Sequence, residues 1–221
     1  IDACDAATGP EFLDEVTARL REVVPHAGAF WSAVDPVTTL AVSPARVDNI
    51  SADSCAPWWE AEFLVEDFLR FTELADDPRG VATLHDATDG RPTRSHRYGQ
   101  VNVPNGFDDE LRAALRTGGS TWGMMVLYRA SDDPVFSLAE QDFVADLGDA
   151  LGGAFRRMAV TPLGTPADRT IAPGVLLFDG DGRLMATTET VPVWLDELRN
   201  ATPVTLDAGL PIPTEVFTVV G

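Results

Sequence analysis

Apolar and polar positions along the chain follow two periods, and the switches between them mark the elements. Phe12, Leu13, Val16, Leu20, Val23 and Val24 recur at helical intervals, which predicts an amphipathic helix. Thr8 to Glu11 opens it with a capping-box spacing and Pro25 stops it. Gly28 to Val34 reads as a strand containing Phe30 and Trp31, and Asp35-Pro36 as a turn. Leu40 to Ile50 supplies a second strand interrupted by Pro44. Ser51 to Ser54 offers helix caps, Pro57 suits a first helical turn, and Ala61, Leu64, Phe68, Phe71 and Ala75 form one apolar stripe. The stripe predicts a single helix that ends at Asp76-Asp77-Pro78, with Trp58, Trp59 and Phe63 near its start.

Val81 to His85 is a short strand. Asp86 to Arg97 is turn-rich and carries Gly90, Pro92, Arg91 and Arg94, and Tyr98 to Val103 continues it as an ordered arm. Asp108-Asp109-Glu110 ahead of Leu111, Ala114 and Leu115 predicts a short helix with acids in its favoured first turn. Gly118-Gly119 then leads into an apolar strand around Trp122 to Tyr128, which Asp132-Asp133-Pro134 ends. Ser137-Leu138-Ala139-Glu140 is a capping box, and Phe143, Leu147, Leu151, Phe155 and Met158 recur behind it at helical spacing. Thr161 to Pro173, with Pro162, Gly164 and Pro166, is a linker. Beyond it, two apolar runs around Asp179-Gly180-Asp181-Gly182 predict a hairpin, followed by a helix over Val191 to Leu198.

The buried strand, polar loop, capped start and long helix between Gly119 and Met158 resemble the end of a GAF domain, a small-molecule sensor module, and Pro10 to Val160 has a matching element order. The resemblance implies an α+β fold, an antiparallel central sheet flanked by helices, over residues 8–160. Residues 161–173 are then a linker, and the strand, Asp-Gly turn, strand and helix of 174–221 resemble the first part of a PAS domain. Modules in this order are similar to the N-terminal half of a LuxR-type transcriptional regulator. All basic residues are Arg, and with abundant Ala, Gly, Pro and Asp this resembles an actinobacterial composition. Such regulators read DNA through a helix-turn-helix. None is visible in this sequence, so that domain is expected beyond Gly221.

Charge narrows the functions. The 221 residues carry a formal net charge of −19, which repels a phosphate backbone. No apolar run approaches the ~20 residues of a membrane span and no signal peptide is visible, so membrane association is not expected and the cytoplasm is the default compartment. Cys4 and Cys55 give no disulfide framework.

Catalytic and metal signatures are missing. His26, His85 and His96 have no metal-ligand spacing, Gly118-Gly119-Ser120-Thr121-Trp122 lacks the closing glycine of a nucleophile elbow, and a phosphate loop with Lys is impossible without Lys. Asp179-Gly180-Asp181-Gly182 lacks the terminal Glu of a calcium loop and reads as a turn. The rival reading is an enzyme of unknown type that uses an acidic cluster such as Asp108, Asp109 and Glu110, which read better as a helix N-terminus.

No catalysis is implied, and no cofactor is indicated. The cyclic-nucleotide signature of some GAF families contains a Lys, Cys55 does not fit covalent bilin attachment, and haem would need His85 as its axial ligand. Trp31, Trp58, Phe63, His85 and Trp122 are the candidate ligand-binding set, suited to a small apolar or planar molecule between sheet and cover. The expected roles are ligand sensing and homodimerisation, with a ligand-free dimerisation scaffold as the alternative. The chain alone is expected not to bind duplex DNA; a gel shift at low salt that shows sub-micromolar binding would refute this.

Overall fold

The computed structural model describes residues 9–160, 174–179 and 184–201. Helix α1 (Gly9–Val23) leads into strands β1 (Gly28–Val34) and β2 (Ala41–Asp48). Helices α2 (Cys55–Phe63) and α3 (Phe71–Asp76), strand β3 (Val81–Thr83) and the single turn α4 (Leu84–Ala87) follow. A turn of π-helix over Tyr98–Asn102 leads to the long strands β4 (Phe107–Thr117) and β5 (Ser120–Ala130), and helix α5 (Leu138–Val160) closes the unit. The five strands form one antiparallel sheet in the order β2-β1-β5-β4-β3.

Side-chain alternation gives this sheet two buried faces. Ala29, Trp31 and Ala33 of β1, Leu111, Ala113 and Leu115 of β4, and Met125 and Leu127 of β5 face α1 and α5, which contribute Phe12, Leu13, Val16, Leu20, Val144, Leu151 and Phe155. Val34, Ala114, Met124, Val126 and Tyr128 face the opposite way, beneath Trp58, Phe71, Leu74 and Val101. The Ser137 capping box holds the start of α5 as expected: Ser137 N–H donates to Glu140 Oε2 at 2.8 Å and Glu140 N–H to Ser137 Oγ at 3.3 Å. Pro44 sits where the β1–β2 register skips, Ser32 pairing with Ala45 but Ala33 with Val42; a proline there costs no ladder bond because β2 is an edge strand.

Two sequence expectations are corrected. Asp108-Asp109-Glu110 does not start a helix; it lies in β4, paired to β5 through the Gly118-Gly119 turn. Tertiary partners override the local preference: Asp109 accepts amides from three segments and Glu110 meets two arginines. The stripe from Ala61 to Ala75 is not one helix. It breaks after Phe63, Leu69 takes a φ of +58°, and the chain restarts at Phe71, whose amide Glu62 accepts at 2.6 Å. Leu64, a member of that stripe, is 81% exposed.

The second unit is a two-stranded antiparallel sheet of β6 (Leu176–Phe178) and β7 (Leu184–Thr187) with helix α6 (Val191–Ala201), which matches the expected hairpin and helix. The linker 161–173, most of the Asp-Gly turn and the chain after Ala201 lie outside the described residues.

Glycines in α5 separate helix propensity from packing. A Cβ on Gly152 would stand 2.6 Å from the Arg116 backbone carbon, so this glycine lets the helix lie against the β4–β5 hairpin, whereas Gly148 faces open space. Gly152→Ala should destabilise the domain by about 1–3 kcal/mol through overpacking. Gly148→Ala should stabilise it by up to about 1 kcal/mol. Urea unfolding of the two variants checks the opposite signs.

Candidate functional site

The five residues expected to line one pocket lie on two sides of the sheet. Trp31 is fully buried on the face covered by α1 and α5, and its indole N–H has no hydrogen-bond partner. Trp122 joins that face because the β4–β5 register skips it: Leu115 pairs with Gly123 and Arg116 with Thr121. Its ring lies under the Arg156 guanidinium, 5.7 Å from the centroid. Neither tryptophan can share a pocket with Trp58, which lies across the sheet. Phe63 stacks on Trp59 at 5.6 Å and is 39% exposed. His85 sits at the surface on α4, its Nδ1 3.7 Å from Asp86 Oδ1. Among the described residues no His, Cys, Asp and Glu group could hold a metal ion.

The face opposite α1 and α5 is where polar chemistry concentrates. Its aromatic part is Phe30, Trp58, Trp59 and Phe71, with Phe30 4.9 Å and Phe71 6.2 Å from Trp58. Trp58 Nε1 donates to Tyr128 Oη at 3.2 Å, which ties the α2 cover to the central strand. Burial first, then the nearby Glu110 carboxylate, raises the Tyr128 pKa, so this hydroxyl stays protonated.

Beside the aromatics lies a sealed ionic network. Glu110 Oε1 accepts from Arg97 Nε at 2.9 Å and lies 2.8 Å from Arg112 Nε. Arg112 Nη1 donates to Glu62 Oε2 and to the Leu69 carbonyl, each at 2.7 Å. Arg97 donates through Nη2 to the Phe68 carbonyl at 2.9 Å and through its amide to Asp67 Oδ2 at 2.8 Å. Arg112 also lies 4.5 Å from the Phe71 ring centroid and 5.1 Å from that of Trp58. Two arginines, Arg112 on β4 and Arg97 at the start of the π-helical turn, therefore hold the α2–α3 loop, residues 64–70, onto the sheet. Burial pushes the Glu110 pKa up, but Arg97 and Arg112 outweigh it and the net shift is downward. Arg97 has its pKa raised, because Glu110 and Asp67 together outweigh the lowering by burial.

Asp109 points the other way from Glu110, to the face of Leu111 and Phe136, and ties the sheet edge there. It accepts amides from His85 at 3.0 Å, Glu110 at 2.8 Å and Phe136 at 3.0 Å, so one carboxylate joins α4, β4 and the approach to α5. Burial raises its pKa against these three bonds. Arg97 and Arg112 were not among the sequence candidates, and Asp109 and Glu110 were weighed only as acids for an enzyme. The available signal was the alternation of Leu111, Ala113 and Leu115 with Glu110 and Arg112, which ordinarily marks a strand with one solvated face.

Likeness to known proteins follows the fold and not the sequence. No protein-family model matches the chain, and no curated protein does. Among solved structures it is similar to a GAF domain/HD domain protein from Geobacter sulfurreducens, at 15% identity and a TM-score of 0.50, over 71% of this chain and 98% of that one. The fold is GAF-like. Lower scores link it to the GAF domain of a two-component sensor histidine kinase from Bacillus halodurans, with 11% identity, a TM-score of 0.37, and 67% of this chain and 96% of that one covered. Escherichia coli SdiA gives 12% identity and a TM-score of 0.44, over 71% of this chain and 64% of SdiA. Among the described residues of the GAF-like chain, no helix is long and apolar enough to cross a membrane.

Glu110→Gln should cost about 3–5 kcal/mol, because it leaves two buried guanidiniums short of a counter-charge. Its folded pKa is lowered, so its stabilisation is present above the unfolded glutamate value and is lost as pH falls through the folded one. Urea midpoints across the acid range should therefore fall less steeply for E110Q than for the wild type.

Proposed function

We propose that this chain is the ligand-sensing and dimerising region of a transcription regulator whose DNA-binding domain lies outside the sequence. The observation that carries the reading is the unequal cover of a GAF-like sheet. One face is closed by two long helices, while the other lies under short helices and loops held by an aromatic cluster and a buried ionic network. A small apolar or planar molecule would lie on that second face, against Trp58, Phe30, Phe71 and Tyr128, with Phe63 and His85 toward the rim. Trp31 and Trp122 belong to the helix face and take no part. The charge of −19 and the family resemblance support action through a separate DNA-reading domain.

Pairing of two copies through α1 and α5 is supported by apolar side chains left outward on both helices: Val23 is 56%, Leu138 64% and Phe143 37% exposed. A second reading, a scaffold that holds no ligand, is favoured by the sealed state of the ionic network, and it shares the same dimer. Native mass spectrometry of the purified chain should find a dimer with a co-purifying small molecule that Trp58→Ala abolishes. A dimer that is always empty would favour the scaffold. In sedimentation, the wild type should be dimeric at high micromolar concentration and Phe143→Arg monomeric; a wild type that remains monomeric would refute the pairing.

A further inference from the structure

Beside Glu110 two buried side chains keep hydrogen-bonding capacity that the fold does not use. Asn102, on the π-helical turn, is fully buried, and neither its amide nitrogen nor its amide oxygen reaches a partner at hydrogen-bond geometry. Its Nδ2 is still drawn to the Glu110 carboxylate, which helps to lower that carboxyl's pKa, so the atom left with nothing is Oδ1. Arg112, equally buried and also beside Glu110, leaves Nη2 without a partner. A buried amide left unmet costs stability, and native proteins seldom keep one without a use.

The unmet groups specify a complement. Arg112 Nη2 needs an acceptor, and Asn102 Oδ1 needs a donor. The surrounding charge is already committed: two arginines stand among Glu62, Asp67 and Glu110, so the cluster holds one more negative than positive charge. A carboxylate would add to that excess in a sealed site, and an ammonium would face Arg112. A neutral group satisfies both atoms without either penalty. We propose that Asn102 and Arg112 form the polar end of the ligand site, and that it takes a neutral head group with a carbonyl oxygen beside an N–H or O–H, on an apolar body lying along Trp58 and Phe71. This rests on the ligand-sensing reading above. The head group enters as the 64–70 loop lifts, because the carbonyls of Phe68 and Leu69 bond the same two arginines that hold the loop down.

The test is thermal unfolding of the full chain and its Asn102→Leu variant, each with hexanamide, hexanoate or hexylamine at the solubility limit. These probes share a tail and differ in head group. N102L should melt above the wild type by about 2–4 °C, because leucine removes the unmet carbonyl oxygen at similar volume. Hexanamide should raise the melting point of the wild type but not of N102L, and the two charged probes should raise neither. N102L melting below the wild type, or failing to fold, would overturn the inference by making Asn102 a structural residue. So would no shift with hexanamide, or an equal shift in N102L. A shift with hexanoate or hexylamine instead would overturn the head-group assignment while the ligand-sensing reading stands. That reading fails separately, if native mass spectrometry finds the dimer always empty and no probe shifts the wild type.

Discussion

A single carboxylate, Glu110, stands between two buried guanidiniums, and the architecture of one whole face depends on it. Without Glu110 neither Arg97 nor Arg112 could be taken out of water, because an uncompensated buried charge costs several kcal/mol. Without the arginines, the carbonyls of Phe68 and Leu69 would lose their donors, and residues 64–70 would have no reason to leave a helical path. The break between α2 and α3, the positive φ of Leu69 and the position of Trp58 over Tyr128 are linked to this pairing. Apolar contact alone would give a tighter cover with no preferred loop path.

The two faces of the sheet are built on different physics. Toward α1 and α5, the contacts are aliphatic and aromatic, and the glycines that matter, Gly123 and Gly152, let helix and hairpin approach. Toward the cover, rings and charges share the space, and much of the hydrogen bonding is between side chain and backbone. The first arrangement has little to gain from rearranging. The second holds its loop by a few strong, directional bonds, which release together once the shared carboxylate is disturbed.

Long elements were legible in the sequence because one face of each is uniformly apolar. Helices α1 and α5, strands β1 and β5 and the Ser137 capping box follow from period and cap chemistry alone. The misread charged positions have one origin. Asp109, Glu110 and Arg112 are charged residues in a buried strand, and the partners that hold them there, Glu62, Arg97 and the amides of His85 and Phe136, come from elsewhere in the chain, so local reading placed them at a helix end or in solvent. The Trp122 error is separate. A one-residue skip in register moved the side chain to the other face, and nothing in the local pattern marks where such a skip falls.

Strand order has a consequence for how the molecule forms. β1 pairs with β5, so Gly28 finds Tyr128 across about a hundred residues of intervening chain. The β1–β2 and β4–β5 hairpins can each close locally, but the seam between them cannot form until the second is complete. On the ribosome, the first hairpin and α1 must wait, with Trp31 and Phe12 still exposed, until most of the domain has been synthesised. Contacts this distant in sequence place the domain among slow folders, and the early chain is the part that most needs protection in the interval.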